Sequence, residues 1–244
     1  MSIYKYSRHE GRINDLSRLH HSFGRLKSLS IIKSDDNRWK DSSTRRISHD
    51  FIMAFFGKSG YGKSSTVNAL FGRDIMATSD VDSCTRRCDC INYEISPGNY
   101  LSLADFPGVG ESEYRDTEYL GMYRDFMRHV GVVIYIMRAD ARDHSIDEKA
   151  FKAIFNTIED QRKVIIGLNQ CDKVEPVNRT EIEPTAEQME NIQKKIRFLQ
   201  QKFRPCNAVV PYSAATGWNM NALADEMVNV AIRSGDFAWH GDNL

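Results

Sequence analysis

The stretch from Gly57 to Ser64 reads GKSGYGKS, and it decides the fold because it separates two runs of different periodicity. Before it, His49 to Phe56 (HDFIMAFF) is a short, apolar, β-prone run, whereas Lys63 to Phe71 has the pattern of a helix. A glycine-rich loop between a strand and a helix presents backbone N–H groups at the helix N-terminus, where they bind phosphate anions. The stretch therefore predicts a phosphate-binding loop of the form G-x-x-x-x-G-K-[ST].

The roles within this loop follow from the chemistry of a phosphate chain. Glycines allow the backbone to approach closely, the Lys63 ammonium reaches the β- and γ-phosphates, and the Ser64 hydroxyl is a ligand for Mg²⁺. Such a pattern occurs by chance in roughly one per cent of chains of this length, so a fortuitous glycine-rich turn is the minor alternative. The residues predicted to contact a nucleotide here are Gly57, Ser59, Gly60, Tyr61, Gly62, Lys63, Ser64 and Ser65.

A second group of candidates surrounds the γ-phosphate and the metal. Asp105-Phe106-Pro107-Gly108 directly follows an apolar strand, so that Asp105 can enter the Mg²⁺ shell and the Gly108 N–H can meet the γ-phosphate. Thr85, in the polar segment SCTRR, is predicted to contact Mg²⁺ and the γ-phosphate from a loop that this phosphate orders. Thr78 is the competitor for that contact, and Thr85 could equally be an ordinary residue entering the next strand. We assign Lys63 and Thr85 as the catalytic residues.

A third group is expected to read the base. Asn169-Gln170-Cys171-Asp172 closes an apolar strand, at the carboxyl end where ligands of parallel sheets bind. Guanine presents an N1–H and an exocyclic amine that one carboxylate accepts together, and adenine has no such pair, so Asp172 is predicted to select guanine. Such a site can discriminate by about 10⁴-fold or more. Asn169 and Gln170 complete the motif, and Ser213-Ala214 offers a backbone N–H to the guanine carbonyl after another strand.

The remaining chain alternates strand-like and helix-like runs, which predicts an α/β fold with a doubly wound, mostly parallel sheet and right-handed crossovers. Nearly all-apolar runs indicate strands buried on both faces. Besides the first strand, strands are predicted at Cys88 to Ile95 and Tyr100 to Phe106 (a hairpin), Val130 to Met137, Lys163 to Leu168 and Asn207 to Tyr212. Further helices are predicted at Glu113 to Arg128, Ile146 to Gln161, Thr185 to Gln201 and Asn219 to Arg233.

The N-terminal segment, residues 1–48, is a basic extension with 11 basic and five acidic side chains. Apolar residues recur in it at helical spacing and predict an amphipathic helix packed on its own domain, with a membrane-surface or partner helix as the alternative. A polar linker is predicted from Ser34 to Arg46. The residues of the apolar stripe are Leu16, Leu19, Phe23 and Leu26.

The predicted body spans residues 49–234, and an aromatic tail of residues 235–244 either folds back on it or faces a partner. With 41% hydrophobic residues and equal totals of 33 basic and 33 acidic residues, the chain is globular and its net charge gives no reason to expect nucleic acid. Five unpaired-looking cysteines, no signal peptide and no membrane-spanning apolar run make the cytoplasm the expected location. Cys84, Cys88 and Cys90 lack partners at zinc-finger spacing and are expected to be plain thiols.

Taken in order, the segments GKSGYGKS, CTRR, DFPG, NQCD and SA resemble the motif series of small GTPases of the translation-factor-related P-loop class, over about Asp50 to Arg233. With NALFG after the first segment and VGES after DFPG, the chain is similar to the Era-related bacterial YfjP/YeeP/YkfA group. The resemblance implies a small G domain that binds GTP and GDP with Mg²⁺ and hydrolyses GTP slowly. Era also has a C-terminal RNA-binding domain, which we do not recognise after Arg233, so nucleic acid or ribosome contact is not directly supported.

Two departures from that pattern concern nucleotide and ion binding. Gly60 stands where potassium-dependent Era-like enzymes have asparagine, so we expect no strong activation by potassium. Gln170 replaces the lysine of N-K-x-D, and its uncharged amide predicts a lower affinity for the base.

A third departure concerns catalysis. Val109 follows Gly108, where Ras-like enzymes have the glutamine that orients the attacking water, and a valine cannot orient water. Help would have to come from Glu111, from Arg86 or Arg87, or from a partner in trans. Without an inserted arginine, turnover is expected on the order of 10⁻⁴ to 10⁻² per second.

These expectations favour a GTP-binding switch that hydrolyses GTP to GDP with Mg²⁺ and signals to an unidentified protein effector. A GTP-dependent binding module with little or no hydrolysis is the alternative function. A second copy of the chain, in a nucleotide-dependent homodimer, is a further candidate partner. Asn169 and Asp172 argue against an ATP-using kinase or ATPase, which has no need of a guanine-reading carboxylate.

Overall fold

The computed structural model describes residues 7–12, 21–31, 38–40, 47–72, 74–76, 88–96, 98–110, 112–177, 181–235 and 237–239. The strands in these ranges are β1 (Ser7–Arg12), β2 (Leu29–Ile31), β3 (Arg38–Lys40), β4 (Ile47–Gly57), β5 (Asp89–Ser96), β6 (Asn99–Asp105), β7 (Val130–Arg138), β8 (Val164–Asn169), β9 (Val209–Pro211) and β10 (Phe237–Trp239). The α-helices are α1 (Lys63–Phe71), α2 (Glu113–Met127), α3 (Ser145–Ile154), α4 (Ile158–Arg162), α5 (Ala186–Phe203) and α6 (Met220–Arg233). Short 3-10 helices span His21–Ser28 and Cys171–Lys173.

The main sheet contains eight of the strands within these ranges, in the order β1-β5-β6-β4-β7-β8-β9, with β3 paired to β4. From β6 to β9 all neighbours are parallel, whereas β5 and β6 form an antiparallel hairpin and β3 is antiparallel to β4. Every residue from Phe51 to Gly57 of β4 is buried, as its apolar sequence predicts for a central strand. The prediction of an α/β fold with a mostly parallel sheet is confirmed.

Each face of this sheet has its own core, because successive side chains of a strand point to opposite faces. Phe51 and Phe55 of β4 belong to a cluster with residues of α1, α6 and the 3-10 helix His21–Ser28. Ile52 and Phe56 belong to another cluster with residues of α2, α3 and α5. Helices therefore cover both faces, which is the doubly wound arrangement.

Strand and helix boundaries agree with the predictions to within about two residues, except where Ile146 to Gln161 was expected to be one helix. There the chain forms α3 and α4, separated at Phe155, whose side chain is buried. The Thr157 hydroxyl accepts a hydrogen bond from the Asp160 N–H (3.1 Å) and so starts the second helix. Apolar spacing continues across this point, which explains why the cap was missed.

The N-terminal segment is built into the same sheet and core. β1 pairs in parallel with β5, and Phe23 and Leu26 are fully buried in the cluster that contains α6. Arg25 also donates a hydrogen bond to Asn229 of α6 (3.0 Å). Leu16 and Leu19, the other half of the predicted stripe, lie outside the described residues. The part that the structure describes thus packs on its own domain, as a 3-10 helix.

Two other segments near the chain ends form strands that the sequence did not predict. The expected linker is corrected at Arg38–Lys40, which pair as β3 with the start of β4. In the tail, β10 pairs antiparallel with β2, so this part folds back on the chain. Three-residue strands depend on a distant partner for their hydrogen bonds and leave little pattern in the sequence. None of the helices in the described ranges has both the length and the apolar character needed to cross a lipid bilayer.

Candidate functional site

The loop between β4 and α1 has a backbone that only glycine fits at two positions. Gly57 has φ 141°, and a Cβ there would lie 2.4 Å from the Ile136 carbonyl oxygen. Gly62 has φ 87°, and a Cβ there would lie 2.5 Å from Asn169 Nδ2. Gly62 is also the N-cap of α1, and it has no side chain to cap the helix. The first N–H groups of α1 are therefore suited to donate hydrogen bonds to a bound anion.

The predicted metal ligands meet at the start of α1 and the end of β6. Ser64 Oγ donates a hydrogen bond to Asp105 Oδ2 (2.5 Å), and Asp105 is buried. A hydroxyl and a carboxylate are hard oxygen ligands, and Mg²⁺ is commonly held by one or two such groups together with substrate phosphates. This pair therefore fits Mg²⁺. Within the described residues no group of three or more His, Cys, Asp or Glu side chains offers an all-protein metal site.

Lys63 and the segment after Asp105 lie against the same loop. Lys63 Nζ donates to the Lys58 carbonyl (3.2 Å), which curls this buried side chain over the loop. A Cβ at Gly108 would lie 2.5 Å from Ser59 N and 2.7 Å from Lys63 Nζ, so a glycine is required for this approach. The geometry brings Gly108 beside the ammonium that is predicted to reach the γ-phosphate. Ser65, the last loop candidate, is half-buried on α1.

Val109 continues this contact but turns its side chain away from the loop surface. Its carbonyl accepts from Ser59 N (2.9 Å), and its N–H donates to the Gly57 carbonyl (3.3 Å). The side chain is buried in the apolar cluster with Phe106 and Tyr123. Val109 is thus a packing residue.

Asn169 joins the phosphate side of the site to the base side. Its Nδ2 donates to the Tyr61 carbonyl (3.0 Å), and its Oδ1 accepts from Gln170 N (2.7 Å) and Ala214 N (3.1 Å). The side chain is 2% exposed, so these hydrogen bonds are shielded from water. One amide therefore fixes three segments that are far apart in sequence.

The residues predicted to read the base lie beside this amide. Ser213 Oγ donates to Asp172 Oδ1 (2.8 Å) and so orients the carboxylate. Gln170 has φ 62° and donates through Nε2 to the Gly60 carbonyl (3.2 Å). Lys173 Nζ in turn donates to Gln170 Oε1 (2.8 Å). A positive charge thus stands next to Gln170, close to where the lysine of N-K-x-D would have supplied it.

A buried carboxylate beneath the phosphate loop was missed by the sequence analysis. Tyr61 OH donates to Asp147 Oδ2 (3.2 Å), and Tyr135 OH donates to Asp147 Oδ1 (3.4 Å). His144 Nδ1 lies 3.4 Å from Asp147 Oδ2. Burial first, and then the charge of Asp147, raise the pKa of the Tyr61 phenol, so it remains a donor. Asp147 lies in the polar run DHSIDEK, which is typical of an exposed helix start and gave no sign of burial.

The candidate residues that the structure describes meet at one edge of the sheet. They follow the carboxyl ends of β4, β6, β8 and β9, as expected for ligand sites in open α/β sheets. The remaining candidates lie outside the described residues, namely Thr85, its competitor Thr78, Arg86, Arg87 and Glu111.

Comparisons with known proteins agree with this geometry. A family model described as 50S ribosome-binding GTPase matches residues 52–170. The uncharacterized protein YkfA of Escherichia coli K12 is 35% identical over 209 residues, which are 83% of this chain and 71% of YkfA. YfjP of the same organism is 34% identical over 178 residues, 72% of this chain and 61% of YfjP, so the chain spans about three fifths of that relative. Among solved structures, a dimerization-deficient mutant of Toc33 from Arabidopsis thaliana is similar in fold, with a TM-score of 0.59 and 20% identity over 93% of this chain and 96% of that chain.

Proposed function

This chain belongs to the bacterial group of small GTPases that includes YkfA and YfjP, and from that premise we propose that it is a switch that binds GTP with Mg²⁺ and hydrolyses it slowly to GDP. The observation that carries the proposal is the set of hydrogen bonds around Asn169. They tie the phosphate loop, through the Tyr61 carbonyl, to the base-side loop, through Ala214 N. A nucleotide would contact both sides at once, and the proposed role of Asp172 makes its base guanine.

The phosphate chain would lie on the N-terminus of α1, with Lys63 on its β- and γ-phosphates. Ser64 Oγ and Asp105 Oδ2, which lie 2.5 Å apart, would hold Mg²⁺, and the ion would neutralise charge on the phosphate chain. The Gly108 N–H would meet the γ-phosphate, since this glycine borders Lys63 Nζ. Asp172, held by Ser213, would accept the two N–H groups of guanine.

Slow hydrolysis is proposed because the position after Gly108 gives no help to the attacking water. The Val109 side chain is buried with Phe106 and Tyr123, and its backbone is tied to Ser59 and Gly57. We keep Thr85 as the proposed metal and γ-phosphate contact, and with it a loop that GTP orders for an effector protein. We also propose that residues 49–234 form the G domain and that the protein is located in the cytoplasm.

Single-turnover hydrolysis tests the enzyme. The chain is loaded with γ-labelled GTP, Mg²⁺ is added, and phosphate release is followed, with Asp105→Asn as the variant that weakens the metal site. We expect release on the order of 10⁻⁴ to 10⁻² per second from the natural chain and less from the variant. Tight GTP binding without release, alone or with added cell extract, would replace this proposal by the non-hydrolysing binding module. Binding of ATP as tight as that of GTP would refute the base assignment.

The partner of the switch is proposed to be a protein, and a second copy of the chain is one candidate. For Toc33, which shares the fold, dimerization is described as important for GTPase activity. Light scattering of the chain with GDP and with a non-hydrolysable GTP analogue tests the homodimer. A mass that doubles only with the analogue supports it, and an unchanged monomer mass directs the search to other proteins, by capture on the analogue-loaded chain.

A further inference from the structure

The Gln170 side chain bridges the two halves of the candidate nucleotide site. Gln170 directly follows β8, and its φ of 62° is a left-handed conformation that costs free energy for a residue other than glycine. Its Nε2 donates a hydrogen bond to the Gly60 carbonyl of the phosphate loop (3.2 Å), 110 residues away in the sequence. Contacts that hold this amide in place therefore also hold the base-side loop against the phosphate loop.

Lys173 contacts the other end of the same amide. Its Nζ donates a hydrogen bond to Gln170 Oε1 (2.8 Å). Its backbone N–H donates to the Gln170 carbonyl (3.0 Å), which closes the turn of the 3-10 helix Cys171–Lys173. Asp172, the residue predicted to select guanine, lies inside this turn. The turn thus places an ammonium beside the glutamine that precedes it.

The two contacts leave the Gln170 amide one orientation. A lysine ammonium has only donors, and a backbone carbonyl only accepts. Oε1 must therefore face Lys173, and the NH₂ group must face Gly60. An amide turned by 180° would lose both hydrogen bonds. A hydrogen bond at one end of an amide also strengthens the bond at its other end, so Lys173 both orients and strengthens the contact with the phosphate loop.

The carboxylate near Lys173 is engaged by an arginine. Arg138 donates through Nε to Asp140 Oδ1 (2.9 Å) and through Nη2 to Asp140 Oδ2 (2.6 Å). The hydrogen bonds from Arg138, and to a smaller extent the charge of Lys173, lower the pKa of the Asp140 carboxyl. Arg138 thus makes the short contacts with this carboxylate, whereas the Lys173 ammonium makes its short contact with Gln170.

We propose that Lys173 is a positioning residue for the nucleotide, which acts through Gln170 to hold the Gly60 carbonyl against the base-side loop and so slows the release of GDP. This role rests on the proposed function and deepens it. A bound nucleotide would contact both loops, so their separation opens the way for its release. The charge that N-K-x-D has at its second position would come here from a lysine three residues further along the chain.

The rate of GDP dissociation tests this role. The chain is loaded with Mg²⁺ and GDP that has a fluorescent group on its ribose, and release is followed after addition of excess unlabelled GDP. Lys173→Met removes the ammonium but keeps a long side chain, and it should release GDP about fivefold faster. Lys194→Met is the matched control and should leave release unchanged. Lys194 also donates to an amide three residues before it, Asn191 (3.3 Å), whose Nδ2 donates to the Glu175 carbonyl (2.9 Å).

Two changes at Gln170 distinguish positioning of the nucleotide from stabilisation of the turn alone. Gln170→Glu keeps an acceptor for Lys173 but loses the donor to Gly60. It should release GDP faster even though its contact with Lys173 becomes an ion pair. Gln170→Lys places an ammonium directly at the Gly60 carbonyl and should make Lys173 dispensable. Adding Lys173→Met to Gln170→Lys should therefore not accelerate release further.

The outcomes decide separately on the proposed function and on Lys173. A natural chain that takes up no GDP would overturn the proposed function and the role of Lys173 with it. Uptake of GDP with equal release from the natural chain and from Lys173→Met would overturn the role of Lys173 alone. So would a Lys173→Met effect of the same size in the Gln170→Lys chain, because Lys173 would then act without Gln170.

Discussion

At the scale of single residues, the Asp172 carboxylate is the group that we propose selects the base. Ser213 Oγ holds Oδ1 at 2.8 Å, so the carboxylate is oriented before any base arrives. Asp172→Asn replaces one acceptor by a donor, which suits the additional carbonyl of xanthine. We expect GDP affinity to fall about tenfold or more and xanthosine diphosphate to bind better than it does to the natural chain. Competition against labelled GDP measures both, and guanine selectivity that survives the change would assign base reading to another group.

The buried Asp147 carboxylate predicts a role for Tyr61 that the glycine motif does not contain. Removing the Tyr61 hydroxyl in Tyr61→Phe takes one donor from a fully buried carboxylate, which should cost about 1–3 kcal/mol of folding free energy. Tyr135→Phe removes another donor from the same carboxylate but lies on β7, outside the loop. Both variants should lose stability, whereas only Tyr61→Phe should weaken GDP. Urea unfolding and nucleotide titration test this, and equal GDP affinity in the two variants would contradict it.

The raised pKa of the buried Asp50 carboxyl predicts that the free energy of unfolding declines as the pH rises. Burial raises the pKa of its carboxyl from 3.8 to about 7, against a smaller lowering by the Ser102 hydrogen bond. Ser102 Oγ lies 2.5 Å from Asp50 Oδ1 and 2.7 Å from Asn92 Oδ1, and a single hydroxyl hydrogen cannot serve two acceptors. A protonated Asp50 resolves this by donating to Ser102, which then donates to Asn92.

The direction of the effect follows from proton linkage. Between about pH 4 and 7 the folded chain keeps a proton that the unfolded chain has released, so this group's contribution falls by up to about 1.4 kcal/mol per pH unit. Asp50→Asn has no such proton. Its stability relative to the natural chain should therefore increase from about pH 5 to about pH 8, as measured by urea unfolding. Parallel stability curves for the two chains would show that Asp50 does not titrate in this range.

Among the secondary-structure elements, the sequence predicted those in which a local pattern of apolar residues indicates burial. β7 and β8 are apolar on both faces, and the sequence between β5 and β6 contains a Pro-Gly pair, which is a turn signal. β1 is a polar strand whose partner β5 lies some eighty residues away along the chain. The sequence near β1 therefore does not indicate this pairing. The same holds for the site: the glycine, aspartate and asparagine motifs are local, whereas the Tyr61–Asp147 contact exists only once α3 packs beside the loop.

The 3-10 helix His21–Ser28 is predicted to stabilise the whole body even though it precedes the glycine motif. Phe23 is fully buried in the cluster that also holds Phe51 and Phe55. Phe23→Ala should therefore cost about 3–5 kcal/mol, in line with other large-to-small changes in a core. Phe198→Ala is the matched control, since that ring is 45% exposed and should cost less. Thermal and urea unfolding compare them, and equal losses would show that the N-terminal helix packs only loosely.

For the molecule as a whole, the candidate site and the core are linked because the proposed nucleotide-binding residues lie at the carboxyl ends of four strands. β4, β6, β8 and β9 each contribute a motif at one edge, and Asn169 and the Ser64–Asp105 pair connect them by side chains. A nucleotide bound across that edge would hold the strands together. Ligand binding should thus register as global stability and not only as a local contact.

The contribution of Mg²⁺ to thermal stability can be separated from that of the nucleotide. At a hundredfold excess over Kd, GDP with Mg²⁺ should add about 2.7 kcal/mol of folding free energy, a rise in Tm of roughly 5–10 °C for a chain of this size. Ser64→Ala keeps the glycine loop but removes the hydroxyl that lies 2.5 Å from Asp105. In this variant GDP should still stabilise, but adding Mg²⁺ or EDTA should change Tm much less than in the natural chain. Ser65→Ala, one residue further along α1, is the control and should keep the Mg²⁺ response. A Ser64→Ala variant that responds fully to Mg²⁺ would place the metal elsewhere.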